Sequence, residues 1–352
     1  MKATMLVGAA CAAVTAAVLL PTASAGPVAS PLRVAFLGTV TASVDDPRAQ
    51  AFLHALSRTH VRGRVVFTNP HKNVGGTIAF LAQQAYDLII VGDYDVNGVP
   101  PVAFDFPGLR FLLPDDPHAA MQDQVRFLRP RLPARARIAL PRNVEGSRFK
   151  VEEAAYLAGY LAALMERRRS GRDVISWVGG RKSPGVDRWI VGYEAGARRA
   201  DPGIRILGTY TGDFILPARC RKAALAQIAR GAGVVFPVAG GCGLGALDAA
   251  KEKGVWGIGV DTDQAALGPH ILTSAVERLE VGMLDALKAV ERGTFETGGD
   301  RVYGLRGGAV GLGKISPEVP RAYLRRLQAI RRLIIEGKIR VPQAAPVIRH
   351  HR

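Results

Sequence analysis

Short, continuous apolar runs alternate with helical patterns along most of this chain, and that alternation leaves few folds open. "LRVAFLG" precedes the alanine-rich "DPRAQAFLHALSR", "RVVFTN" precedes "VGGTIAFLAQQA", and "YDLIIVGD" and "RFLLPDD" follow. The cycle resumes with "VEEAAYLAGYLAALMERRR", "DVISWVGG", "GVDRWIVGYEAGARRA", "IRILGTYTGD", "PARCRKAALAQIARG", "VVFPVAGG", "GALDAAKEKG" and "VWGIGVD". Apolar strands between amphipathic helices are strands covered on both faces. The expected fold class is therefore α/β, with doubly wound parallel sheets. The cycles exceed one comfortable sheet, and the Pro- and Arg-rich "RLPARARIALPRNVEGSRF" marks a boundary. Two lobes with a ligand cleft between them are expected. Residues 31–140 with 268–298 form the first, 141–265 with 299–340 the second, and 341–352 a flexible tail.

The first residues, "MKATMLVGAACAAVTAAVLLPTASA", have a basic start, an apolar middle and a small-residue end. That is the layout of a secretory signal peptide, with the cut expected after Ala25. Gly26 follows the cut, so there is no lipobox cysteine. The expected chain is exported and extracellular or envelope-associated. Cys220 and Cys242 remain after cleavage; in an oxidising compartment they form one disulfide, or else stay as two buried thiols.

Lys and Arg number 47 against 30 Asp and Glu, a formal charge of +17. Basic chains meet nucleic acid, anionic lipid or an anionic wall. The arginines of "MERRRSGR" and "RAYLRRLQAIRR" are not interleaved with aromatics, and export argues further against nucleic acid. An arginine-rich surface, or attraction to an anionic envelope, remains. There is no G-x-S-x-G, HExxH or C-x-x-C pattern, and of seven histidines only His350 and His351 are adjacent. No catalytic residue, metal or cofactor is expected.

Loops after strand C-termini bind ligands in doubly wound sheets. The residues there are Asp93 (with Asp95 as a rival), Asp187, Phe214, Gly240 to Gly245 and Asp261. Gly241, Gly243 and Ala246 fit the G-x-G-x-x-G/A pattern, and Asp261 follows about twenty residues on, as in dinucleotide folds. That fingerprint normally opens a domain, whereas several strand–helix units precede it here.

"GYEAGAR", "VAGGCGLGALDAAKEKGVWGIGVDTDQ", "ILTSAVERLEVGMLDALKAVERGTF" and "YGLRGGAVGLG" occur in an order that resembles the basic membrane protein family, the purine-nucleoside-receptor-like substrate-binding proteins of ABC transporters. The resemblance runs from about Asn143 to the C-terminus. It implies the type I periplasmic-binding-protein fold and a monomer that binds a nucleoside or related small molecule and meets a transporter permease. It also implies roles for single residues. Asp261 matches a ribose-hydroxyl acceptor, Gly240 and Gly241 a turn beside the ligand, and Phe214 a base-stacking aromatic. Phe236 and Asp93 are further ligand candidates.

Two departures stand out. The family's D-x-S-F-N-type motif is replaced by "TASVDDPRAQAF", with Pro47 and Arg48 roughly where phenylalanine and asparagine belong. Glu277 takes the place of a lysine after "LTS", which points to a ligand with a positive or donor-rich group at that end. Two other functions share the pattern. One is a ligand-sensing ectodomain. The other is a secreted nucleoside hydrolase that would use Asp261 with Asp263 as its second acid.

Overall fold

The computed structural model describes residues 15–16, 32–39, 46–68, 74–92, 98–114, 141–169, 173–295 and 299–344. The signal-peptide cut after Ala25, Asp93 and Asp95, and the last eight residues of the expected tail lie outside them. The chain forms two compact units, Met1–Arg148 with Leu279–Arg301 and Phe149–Arg278 with Val302–Arg352, and passes between them three times.

The first sheet has the order β1-β3-β2-β4-β5-β6-β12. Its strands are β1 (Thr15–Ala16), β2 (Arg33–Thr39), β3 (Arg62–Thr68), β4 (Leu88–Val91), β5 (Arg110–Pro114), β6 (Val144–Phe149) and β12 (Asp300–Tyr303). Strands β3, β2, β4, β5 and β6 pair in parallel; β1 adds two antiparallel residues at the edge. Successive side chains point to opposite faces. Val34, Phe36, Leu88, Ile90 and Leu112 pack with α1 (Pro47–Leu56) and α8 (Leu279–Glu291). Ala35, Leu37, Ile89, Val91, Phe111 and Leu113 pack with α2 (Val74–Ala82) and α3 (Val99–Asp105). Asp46 accepts hydrogen bonds from the amides of Arg48 and Ala49, and Pro47 takes the first helical position. The departure at Pro47 and Arg48 is thus the start of α1.

The second sheet has the order β13-β11-β10-β9-β7-β8. Its strands are β7 (Val174–Gly179), β8 (Arg205–Tyr210), β9 (Val234–Val238), β10 (Trp256–Asp261), β11 (Ile271–Glu277) and β13 (Val310–Leu312). Only β13 runs antiparallel, against β11. The sequence reading placed residues from 268 onward in the first lobe, but β11 pairs with β10 and belongs to the second unit. An apolar run does not reveal which neighbour it will choose.

Helices α4 (Val151–Glu166) and α5 (Pro184–Ala200) meet through glycines. A Cβ at Gly159 would lie 1.9 Å from the Tyr193 carbonyl oxygen, and one at Gly196 1.9 Å from that of Tyr156. The glycines of "YLAGY" and "GYEAGAR" therefore let two helix backbones touch. On the same pair, Arg188 donates to Glu152 at 2.7 Å, both side chains being buried, and also to the Phe149 carbonyl. Gln343, assigned to the flexible tail from sequence, donates to the other Glu152 oxygen at 3.1 Å. Helices α6 (Pro217–Ala229) and α7 (Cys242–Glu252) bring Cys220, Ala224, Cys242, Ala246 and Ala249 against Val178 and Val235. The last helix is α9 (Arg321–Ile335).

Candidate functional site

The winding of the second sheet reverses between β7 and β9: the chain goes from β7 outward to β8, then returns past β7 to β9. In doubly wound sheets the carboxyl ends beside such a reversal form a ligand crevice. Gly180 follows β7 here, and the Phe214 ring is seated on it, because a Cβ at Gly180 would fall 2.3 Å from the ring. Gly240 and Gly241 follow β9 and are exposed. Gly240 has φ +52, which a glycine adopts without strain.

The loop carrying Phe214 is held from several directions. Asp213 accepts from the amides of Leu216 and Ile215, which together with Arg219 keep its carboxyl below the usual range. The Phe214 carbonyl accepts from the Cys242 amide at 3.0 Å, joining this loop to the glycine turn. Cys220 and Cys242 form a disulfide with Cα atoms 5.5 Å apart. The Thr211 hydroxyl lies 3.7 and 3.8 Å from the two sulfurs. A Cβ at Gly245 would sit 2.0 Å from the Pro217 carbonyl, so α6 and α7 also meet backbone to backbone.

Asp261 ends β10 on the strand next to β9. Its φ is +65, and the Thr262 amide donates across it to the Val260 carbonyl at 2.7 Å. That is a γ-turn of the rarer hand, a strained conformation for a residue with a side chain. Its neighbours lock it. Gln264 accepts from the Val260 amide at 3.0 Å and donates its own amide to Ser274 at 2.9 Å. Asp263 accepts from the amides of Lys314 and Ala265. Both oxygens of the Asp263 carboxylate thus accept from backbone amides.

Glu277 ends β11, one residue beyond the Val276 that registers with Asp261. Four neighbouring strand ends thus carry, in spatial order, Glu277, Asp261, Gly240 and Gly241, and Gly180, with the Phe214 ring seated on the last. Phe236 is a correction. It is fully buried in β9 with its ring 4.9 Å from that of Tyr193, so it is core and offers a ligand no surface. Asp187 pairs with the Tyr210 hydroxyl, and burial, then this bond, pushes the phenol above its ordinary range. The sequence reading missed Gly180, Thr211 and Gln264; "WVGG" after a strand was the only signal for the first.

A surface groove of about 490 Å³, lined by Pro47, Gln50, Ala51, His54, Ser57 and Glu280, lies in the other unit and contains none of these residues. Among the described residues no group of three or more His, Cys, Asp or Glu is placed to hold a metal, and no helix is long and apolar enough to cross a membrane.

A family model described as "ABC transporter substrate-binding protein PnrA-like" matches residues 68–345. The chain is 36% identical over 214 residues to "Basic membrane protein B" of Borrelia garinii subsp. bavariensis, covering 58% of this chain and 59% of that one. It is 29% identical over 218 residues to the "CD4+ T-cell-stimulating antigen" of Listeria monocytogenes, covering 57% and 60%. These matches span about three fifths of the relatives' length. Among solved structures, a solute-binding protein of an ABC transporter system from Aeropyrum pernix superposes with TM-score 0.70 at 23% identity, covering 89% and 94% of the two chains. One from Conexibacter woesei gives 0.66 at 24% identity, covering 89% and 99%. These two likenesses speak to the fold.

Proposed function

Because the chain belongs to the PnrA-like family of ABC transporter substrate-binding proteins, we propose that it captures a nucleoside-like ligand at the carboxyl end of the second sheet and delivers it to a membrane permease. Substrate-binding proteins of this kind work outside the cytoplasm, and the signal-peptide pattern provides the export route.

One observation carries the ligand class. A seated aromatic ring at the winding reversal stands two strand spacings, about 10 Å, from an acid held in a strained, locked turn. A flat base stacked on Phe214 and joined to a sugar bridges that span, with the sugar hydroxyls donating to Asp261. The backbone of Gly240 and Gly241 lies between, and a Cβ at Gly240 would come within 3.1 Å of the Phe214 carbonyl oxygen. Glu277 on the adjacent strand end adds a second acid. Two acids repel phosphate, so free nucleosides with donor-rich groups are favoured over nucleotides.

The test is calorimetry and thermal shift of the purified protein with a panel of nucleosides and their monophosphates. At least one nucleoside should bind saturably and raise the melting temperature, with its monophosphate much weaker. Phe214→Ala should weaken binding by about 1–3 kcal/mol, and Glu277→Lys should reorder the panel. The reading fails if no nucleoside binds, or if Phe214→Ala and Asp261→Ala both bind like the parent.

A further inference from the structure

Helix α9 has no acidic residue over its 15 positions and carries five arginines, in "RAYLRRLQAIRRLII". Its apolar stripe, Leu327, Ile330 and Ile334, is buried in the second unit. Arg321, Arg325, Arg326 and Arg332 are exposed. Positions four and seven apart on a helix share a face, so Arg321, Arg325 and Arg332 form a row along a rod about 22 Å long, with Arg326 on its flank. Arg331 differs: it folds back to donate to the Leu305 carbonyl at 3.0 Å. At the foot of the helix Arg168, at the end of α4, donates to the Glu318 carbonyl, which brings exposed Arg167 and Arg168 beside the row. The acids nearest in sequence are Glu318, before the helix, and Glu336, after it; Glu336 is paired with Lys338 at 2.8 Å. Among the described residues no ion pair within 4 Å neutralises Arg321, Arg325, Arg326 or Arg332.

We propose that this arginine face is a docking surface for the anionic lipid headgroups of the membrane on which the protein works. Charge complementarity and shape choose the occupant. A straight row of guanidinium groups meets a plane of phosphates at many points, and guanidinium pairs with phosphate oxygens through two hydrogen bonds at once. The apolar side of α9 is already used in packing, so the helix adsorbs without inserting. The face has no exposed aromatic ring to stack a base; Tyr323 is half-buried. A family that hands ligand to a membrane permease gains from a surface that keeps the protein on the bilayer. This inference stands on family membership and not on the nucleoside reading.

The experiment is cosedimentation of the full chain with vesicles of phosphatidylcholine containing increasing phosphatidylglycerol, at low and at physiological salt. Binding should rise steeply with phosphatidylglycerol, be absent from pure phosphatidylcholine and fall with salt. Each arginine contributes roughly fivefold near an anionic surface. Replacing Arg321, Arg325, Arg326 and Arg332 together by Gln should therefore weaken binding at least a hundredfold, while replacing them by Lys keeps most of it. A second variant removes four charges elsewhere, at Arg58, Arg62, Lys182 and Lys222, all exposed; it should bind nearly like the parent. Equal loss in the two neutralised variants would assign the effect to net charge and overturn the proposal. So would equal binding to neutral vesicles, or capture of a DNA duplex with no capture by vesicles. Melting curves of each variant confirm that these changes act on binding.

Discussion

The two units follow the same winding but are packed by different means. In the first, bulky side chains fill the space between sheet and helices: Phe36 stacks on Phe52 with centroids 5.3 Å apart, among leucine, isoleucine and valine. In the second, backbones meet directly. Gly159 and Gly196 let α4 touch α5, Gly245 lets α6 touch α7, and alanines and a disulfide line the sheet face beneath. Side-chain packing tolerates small adjustments, because neighbouring rotamers share the strain. Backbone contact does not adjust, since neither partner has a torsion to give. The unit packed by backbone also carries the candidate ligand residues, and close packing is what holds their loops in register.

That contrast can be broken in several ways. The largest effect is expected at the buried ion pair. Arg188→Ala leaves Glu152 charged and buried, and should cost about 3–5 kcal/mol in denaturant unfolding. Next come the glycines. Gly196→Ala should cost about 3 kcal/mol although alanine is the better helix former. Phe52→Leu in the first unit should cost about 1 kcal/mol. If the alanine variant melts no lower than the leucine variant, the contrast between the units is wrong. Replacing Cys220 and Cys242 together by Ser should remove about 3 kcal/mol, and should also loosen the loop of Phe214, read as weaker ligand binding beyond the stability loss.

Asp261 sharpens the comparison differently. Asp261→Gly relieves the positive φ, so stability should rise by about 1 kcal/mol while nucleoside affinity falls about tenfold. A fall in both would show that the turn is unstrained. The smallest effect concerns pH. Burial pushes the Glu166 carboxyl above its ordinary value of 4.5, despite Arg169 and the Val174 amide. The native state therefore keeps this proton to higher pH than the unfolded chain does. Its stabilising contribution is complete below 4.5 and is lost as pH rises through the raised native value. Glu166→Gln should flatten that decline, measured as unfolding free energy from acid to neutral pH.

Much of the fold was legible because buried parallel strands need no exposed face, so runs such as "YDLIIVGD" read plainly as strands between helices. The same property hid Phe236. In a strand buried on both sides, alternation cannot tell a residue that faces a ligand from one that faces a helix. Asp261 and Phe214 could be picked out through motif resemblance, but nothing local disclosed the seat on Gly180 or the brace from Gln264. The seat depends on segments distant along the chain, since Gly180 and Phe214 are separated by all of α5 and β8; the brace is short-range, but no motif marks the Gln264 side chain as the acceptor of the Val260 amide. The arginines of α9 were visible as composition, yet their alignment emerged only once Leu327, Ile330 and Ile334 had fixed which side of the helix faces inward.

The seat of Phe214 on Gly180 has a consequence in time. A loop aromatic without such a seat samples several rotamers, and an arriving base must wait for the right one. Here the ring rests against backbone before any ligand arrives. Encounter should therefore be fast and similar for all flat heterocycles. Discrimination among them would appear in how long each one stays.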